Sequence, residues 1–366
     1  MFRDSSRHSI ITTSPDQMQL SDIFISRNVW RTFTESEMAE YIETVLTHYR
    51  KAGFPYFPSD MAYRRNELRK FIKSDISDIV DGDTIRQTMA GLAFCWSYMP
   101  HAYGVRCNGM RTPLDVFNDD SLLRQVIAKR TMMGDNMSDN GLRKMLKIFS
   151  GTQCVSNFRP TAAGAFYNIY GKNRVVWDMS FGYGGRMLGA MKAGVKKYIG
   201  SDPCVENYNG LKRMIGDFPN FFVPDRIELH NCGSETLVLD NGSVDLCFTS
   251  PPYFNTEMYS DDETQSYVKF PTRSEWLNGF LGKTIDNCKH CLKDDGVLAI
   301  NIANVRSYPN LESDTVRMVE GKGFRLIGTM KYALSSLKHD DKFKHEPIFV
   351  FDRGKGYTTA RQLKLF

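Results

Sequence analysis

Several things are missing from this sequence, and each absence narrows it. No apolar run among its 366 residues approaches the roughly 20 that a membrane-crossing helix needs. The opening stretch MFRDSSRHSIITTSPDQ lacks the apolar centre of a secretory leader. Its eight cysteines (Cys95, Cys107, Cys154, Cys204, Cys232, Cys247, Cys288 and Cys291) are scattered rather than spaced as a disulfide framework. There is no internal repeat and no low-complexity block. Together these absences predict a soluble protein of the reducing cytoplasm, with no membrane partner.

What is present is an ordinary globular composition, 42% hydrophobic and 24% charged. A chain of 366 residues has room for two domains. Net charge is only +5, but it is unevenly spread. Nine basic residues fall between Arg124 and Arg174, namely Arg124, Lys129, Arg130, Arg143, Lys144, Lys147, Arg159, Lys172 and Arg174. Only Asp135 and Asp139 oppose them. Such a patch attracts phosphates, although a solvated helical surface reads the same way.

The first ~25 residues are polar and read as loose. From about 34 to 150 the texture is helical. TESEMAEYIETVLTHYRKAG opens with hydroxyl and acidic residues and closes at Gly53. NELRKFIKSDISDIV and DDSLLRQVIAKRTMM show similar apolar spacing. This organisation predicts a mostly helical domain over 1–150 and a second domain over 151–366. The second domain carries seven short apolar runs: 174–180, 196–202, 226–231, 243–250, 297–304, 325–334 and 347–352. Helical stretches fit between most of them. That alternation predicts an α/β fold, an open Rossmann-like sheet with ligands at the carboxyl ends of its strands.

The first of these strands runs into Asp178-Met-Ser-Phe-Gly-Tyr-Gly-Gly, so Gly182 and Gly184 form a strand-to-helix turn suited to a nucleotide-like ligand. The dinucleotide fingerprint is not met, because its third glycine would fall at Met187. No phosphate loop is present either. A carboxylate at Asp178 repels pyrophosphate and suits a cationic amino group, such as the methionine end of S-adenosylmethionine. Asp202 ends the second strand, where an acid accepts from ribose hydroxyls. Asn231 ends the third and is a candidate for the adenine edge.

The fourth strand ends in Thr-Ser-Pro-Pro-Tyr-Phe-Asn (249–255). Prolines cannot continue a sheet ladder, so the strand stops abruptly. A carbonyl held by Pro251 and Pro252, together with the Ser250 hydroxyl, could accept from an exocyclic amine. Tyr253 could stack on the ring that carries it.

The Asp178 glycine turn followed by Ser250-Pro251-Pro252-Tyr253 resembles the amino-group DNA methyltransferases, over about 150–352. The resemblance implies a seven-stranded sheet that binds S-adenosylmethionine. It also implies double-stranded DNA as partner, with the target base flipped out. By the same resemblance Asp178, Gly182, Gly184 and Asp202 match the cofactor turn and ribose acid, and Ser250 to Tyr253 match the catalytic motif. Phe158 and Arg159 stand where the family has a helix touching the donor's methionine part. The family's usual phenylalanine, two residues after the acid, is replaced by Ser180. Serine at 250 leans the reading toward cytosine N4 over adenine N6. The amino-terminal domain, by leftover length and charge, becomes a candidate for holding nucleic acid. Other open readings are an RNA or small-molecule amino methyltransferase and a catalytically silent nucleic-acid-binding protein.

Two cysteine features read as structural. Pro203-Cys204 lies after the second strand, away from the methyl-accepting turn. Cys288-Lys-His-Cys291 has no second pair, and His230, His290, His339 and His345 have no evident metal partners, so no metal is expected. The polar, aromatic stretch 254–276 reads as a candidate lid.

Overall fold

In the computed structural model the structure describes residues 26–334 and 344–354. The first 25 residues, expected to be loose, and His339 lie outside them. Each of the seven apolar runs forms a strand. With a short hairpin they give β1 (Val80–Asp81), β2 (Thr84–Ile85), β3 (Val175–Asp178), β4 (Lys197–Ser201), β5 (Ile227–His230), β6 (Val244–Thr249), β7 (Leu292–Asn301), β8 (Arg325–Ala333) and β9 (His345–Asp352). The spatial order is β1-β2-β8-β9-β7-β6-β3-β4-β5. From β5 to β7 all neighbours are parallel, whereas β9 runs antiparallel to both β7 and β8.

Parallel strands are covered on both faces, and their sequences read accordingly as near-continuous apolar runs. All but one residue of β6, and every residue of β7 from Gly296 on, is buried. On one face Trp177, Cys247, Leu298 and Ile300 pack with Trp276, Phe280, Ile285 and Leu311. On the other, the helix Pro160–Tyr170 lays Phe166 on Phe248, ring centroids 4.2 Å apart. Cys288 and Cys291 sit in the helix Lys283–Cys291 and bury their thiols against Cys247, with Cys247 Sγ 3.9 Å from Cys291 Sγ. Burial pushes the Cys247 and Cys288 thiols up, so they remain protonated core residues. Among the described residues no cluster of His, Cys, Asp or Glu could hold a metal ion. None of the described helices is long and apolar enough to cross a membrane.

The chain divides into two compact units, but not at 150. Among the described residues, one comprises 26–57 with Pro100–Val155, the other Pro58–Met99 with those from Ser156 on. The stretch 58–99 therefore joins the sheet-bearing unit. Two features tie it there. The run NELRKFIKSDISDIV is not one helix: the helix Met61–Lys73 stops at Ser74, and Gly82-Asp83 turns β1 into β2. β2 then pairs in parallel with β8, Ile85 opposite Tyr332. Second, Phe94 is fully buried, with rings at Tyr98, Phe218 and Phe222 between 5.4 and 6.3 Å away.

The other unit is mostly helical. The helix Glu35–Ala52 begins in a capping box between Thr34 and Glu37 and ends at Gly53. The helices Asp120–Met132 and Asp139–Ile148 share its core through Val45, Leu123, Ile127 and Leu146. Its basic surface is thinner than a count suggests. Arg130 is buried and bonds the Asn136 carbonyl, and Arg143 is buried and bonds that of Pro55. Arg124 is paired with Glu43, an acid outside the window where the charges cluster. Lys129 and Lys144 remain exposed.

Phe94→Ala should destabilise the sheet-bearing unit by about 3–5 kcal/mol, read from denaturant unfolding. An unchanged transition would separate 58–99 from that unit's core.

Candidate active site

Register brings the ends of five parallel strands to one edge of the sheet. Asp178 lies opposite Gly200, Trp177 opposite Cys247, Ser201 opposite His230 and Thr249 opposite Ile300. Thus Asp178, Asp202, Asn231, Ser250 and Asn301 follow one another along that edge. Antiparallel β9 presents its amino end there, with Ile348 opposite Asn301. Glu346 is therefore added to the same edge.

The glycine turn is built from below by charge and from the side by backbone. Asp178 is fully buried. Arg186 Nε donates to its Oδ2 at 2.9 Å and the Tyr198 hydroxyl at 2.7 Å, while the Ser180 N–H reaches Oδ1 at 3.3 Å. The same guanidinium donates to the Ser180 carbonyl, so one buried ion pair ties both ends of the turn. Gly182 has φ +55°, and the nearest atom to a Cβ placed there is 3.9 Å away. That position is an open cradle beside the strand ends. Gly184, φ +82°, caps the helix Gly185–Ala193. Gly185 permits close approach: a Cβ there would lie 2.0 Å from the Phe158 carbonyl.

Asp202 is buried and accepts from the Gly182 N–H at 2.9 Å and the Cys204 N–H at 3.0 Å, one on each carboxylate oxygen. Each oxygen keeps a lone pair for a further donor. Burial pushes its pKa up to about 6 against the pull of those two N–H groups. Asn231 is exposed, and its amide donates to the carbonyls of Asp202 and Pro203, tying β5 to the turn after β4. Burial raises the Cys204 thiol to about 12, which fits its reading as a non-nucleophile.

Phe158 stacks on Tyr332 at 4.6 Å and meets Phe248 edge-on. The Arg186 guanidinium lies 5.6 Å from its ring. The Arg159 N–H donates to the Tyr332 hydroxyl at 3.2 Å, and its guanidinium bonds Gln87. Phe158 therefore flanks the glycine turn, while the contacts of Arg159 run to Tyr332 and Gln87.

At the end of β6, Thr249 and Pro251 are buried, and Ser250, Pro252 and Tyr253 are half-buried. No hydrogen bond among the described residues ends on the Pro251 carbonyl, and the Thr249 hydroxyl has no partner among them. Phe254 takes φ 58°, uncommon without glycine, and is held by Trp276 and Tyr308 at 6.1 and 6.2 Å. The Tyr253 hydroxyl donates to Glu346 Oε2 at 2.9 Å and lies 3.3 Å from Asn301 Oδ1. Burial and the nearby Glu346 and Glu257 push its proton affinity well above the usual tyrosine range, and Ser250 opposes the rise.

The proposed lid is only partly open chain. Gln265, Ser266 and Tyr267 are buried, and fully buried Trp276 donates to Ser266 Oγ at 3.1 Å. Residues 260–264 are exposed. Arg186, Tyr198, Asn301, Glu257 and Glu346 also belong to the site, although the sequence alone did not single them out. Arg186, directly after the glycines, was the most visible of them.

Residues 244–365 match a family model of N6/N4 methyltransferases described as DNA methylase, consistent with an amino-group DNA methyltransferase. The match begins at β6 and so includes the Ser-Pro-Pro-Tyr turn but not the glycine turn. No curated protein matches the chain. Among solved structures, a Pyrococcus horikoshii protein assigned as an RNA methyltransferase shares 16% identity over 53% of this chain and 82% of its own, TM-score 0.35. TrmN from Thermus thermophilus shares 14% over 53% and 48%, TM-score 0.37. An S-adenosylmethionine-dependent O-methyltransferase from Thermotoga maritima shares 13% over 53% and 66%, TM-score 0.36.

Two outcomes test this geometry. Arg186→Met leaves the Asp178 carboxylate buried and unpaired and should cost about 3–5 kcal/mol in denaturant unfolding. Asp178→Asn added to Arg186→Met should recover most of that loss. Asp202 has a raised pKa in the folded state, so it favours folding when protonated. Its contribution should fall as pH rises from the ordinary 3.8 through about 6, by up to about 3 kcal/mol. Asp202→Asn should abolish that trend in melting temperature, and a parallel pH trend in the variant would rule it out.

Proposed function

We propose that this chain is an S-adenosylmethionine-dependent DNA methyltransferase. Its target is an exocyclic amine of a base turned out of the duplex, cytosine N4 in preference to adenine N6. The observation that carries the reading is the Ser250-Pro251-Pro252-Tyr253 turn at the end of β6, beside the glycine turn of its parallel neighbour β3. The family match from β6 onward supports it.

The residues present fit the donor. Gly182 leaves room where a side chain would intrude, and Asp202 keeps two lone pairs for ribose hydroxyls. Asn231 shapes the adenine end by fixing the Asp202 and Pro203 carbonyls. Phe158 and Arg159 flank the methionine end. Asp178 acts at one remove, because Arg186 and Tyr198 fill its carboxylate. When bound, the donor supplies an electrophilic methyl group on a sulfonium. The cluster of acids along this edge favours such a cation.

On the acceptor side, the Pro251 carbonyl, without a donor among the described residues, and the Ser250 hydroxyl accept from the amine, orienting its nitrogen and enriching its electron density. Because prolines fix that carbonyl beforehand, its orientation costs no reorganisation during the reaction. Tyr253 stacks on the base while its hydroxyl stays tied to the sheet. Serine, being neutral, suits a small amine acceptor with no carboxylate in the turn. In the helical unit the exposed Lys129 and Lys144 are candidates for phosphate contacts, and Arg130 and Arg143 are not.

Incubation with labelled S-adenosylmethionine and unmodified DNA or RNA, followed by nucleoside chromatography, tests the reading. Label should appear in N4-methylcytosine from DNA. Label in N6-methyladenine would change the base, and label in RNA alone would change the substrate. Ser250→Ala should lower transfer by about 10²-fold or more while donor affinity, measured by calorimetry, is kept. Equal transfer by that variant would remove Ser250 from the reaction.

A further inference from the structure

A neutral Ser250 leaves a chemical question. An amine nitrogen that takes a methyl group must give up a proton. Ser250 can accept that proton only by passing on its own, and nothing in Ser-Pro-Pro-Tyr is a carboxylate.

We propose that Glu346, acting through the Tyr253 hydroxyl, is the carboxylate that the turn lacks and the destination of the amine's proton. The inference rests on the methyltransferase reading above. Glu346 Oε2 accepts from the Tyr253 hydroxyl at 2.9 Å, and Ser250, in the same turn, lowers the proton affinity of Tyr253, so Tyr253 can bridge the two groups. The direction follows from hydrogen-bond roles. Asn301 Nδ2 donates to the Pro347 carbonyl at 2.9 Å, which turns Oδ1 toward Tyr253. Glu346 and Asn301 therefore both offer acceptors. The single tyrosine proton goes to the nearer Glu346, and a tyrosine lone pair remains to accept from Ser250.

The transfer balances without any further reactant. The amine N–H bond breaks and its electron pair stays on nitrogen, while the proton bonds to Ser250 Oγ. The Ser250 proton moves to the Tyr253 oxygen, and the Tyr253 proton moves to Glu346 Oε2, giving a neutral carboxylic acid. The three shifts occur together, since burial makes a free tyrosinate unfavourable. Glu346 then returns its proton to water. Glu346 is a positioning residue and terminal base; it does not touch the substrate.

Burial raises the proton affinity of Glu346, which suits a proton acceptor better than an ordinary surface carboxylate does. The groups that face it are Tyr253, Asn301 and Lys344, which lower that affinity, and Glu312, which raises it. Glu257 and Tyr332 also feel its charge. Glu257 is the other buried acid nearby, but it is engaged by the Tyr259 hydroxyl and the Ser156 backbone. It has no bond to Tyr253 among those described.

The experiment compares wild type, Glu346→Gln, Tyr253→Phe and the double variant, each confirmed folded by thermal melting. Methyl transfer to DNA is followed against pH. Wild type should lose rate at low pH, as Glu346 is protonated. Glu346→Gln should lose that limb and drop about 10²-fold in kcat with little change in KM. Tyr253→Phe should lose as much, and the double variant no more than either, because both act on one relay. A readout free of catalysis uses protein labelled with carbon-13 at tyrosine Cζ. The Tyr253 signal, identified by its loss in Tyr253→Phe, should move in Glu346→Gln. Losses that add in the double variant, a retained acid limb in Glu346→Gln, or an unmoved Tyr253 signal would overturn the relay. If wild type labels no nucleic acid, the methyltransferase reading fails and the relay with it. If wild type labels DNA and Glu346→Gln does so equally, only the relay fails.

Discussion

The parallel pairing of β3 with β6 is the constraint on which the rest of the site depends. It sets the glycine turn beside the proline turn, and no ligand is needed to do so. The pairing is specified by apolar burial on both faces: Trp177 and Cys247 lie side by side under one layer, and Phe248 lies under the other. A slip of one residue would drive each of these to the opposite face, which is why such a register is strongly determined. The distance between the glycine turn and the proline turn is thus fixed by the core. β9 enters the sheet antiparallel, and this reversal is what carries Glu346, at the start of its strand, to the edge where the parallel strands end.

Charge follows from that arrangement. The buried Asp178–Arg186 pair is internally balanced and anchors the turn rather than charging the site. Among the described residues Asp202, Glu257 and Glu346 have no such cationic partner within bonding distance, and burial raises the proton affinity of each. An edge with this character repels phosphate and welcomes a cation or an amine. That agrees with the absence of a phosphate loop in the sequence. On the proposed function, nucleic-acid phosphates would then be met away from this edge.

Much of this was legible in the sequence because period and punctuation are local. Seven apolar runs gave seven strands, and glycine and proline marked the two turns that matter. What was missed is non-local or concerns burial. The run ending SDISDIV has apolar spacing compatible with a helix, and only the pairing of Val80 with Ile85, itself set opposite Tyr332, draws its last residue into a strand. Arg130 and Arg143 count as surface charge in a sequence, yet each is folded inward onto a carbonyl. Asp178 was read as open to a ligand, since nothing in its type shows that Arg186 and Tyr198 will occupy it. Glu346 stands far along the chain from Tyr253, and only the antiparallel entry of β9 makes them neighbours.

The proline turn itself shows why rigidity was selected over hydrogen bonding at this point. Two residues without an N–H free the preceding backbone from the ladder, and the chain must then reverse. Phe254 makes the reversal at φ 58°, which costs a non-glycine residue about 1 kcal/mol or more. That cost is borne because the ring is buried between Trp276 and Tyr308, and the Thr256 N–H closes the turn on the Tyr253 carbonyl at 3.2 Å. With Phe254 pinned behind it and Glu346 and Asn301 holding its hydroxyl, Tyr253 is restrained at both ends. The Pro251 carbonyl, held by rings and without a donor among the described residues, is then an acceptor of fixed orientation. Groups fixed in this way before a substrate arrives need not reorganise as charge develops on it, which is where a polar site gains most of its effect.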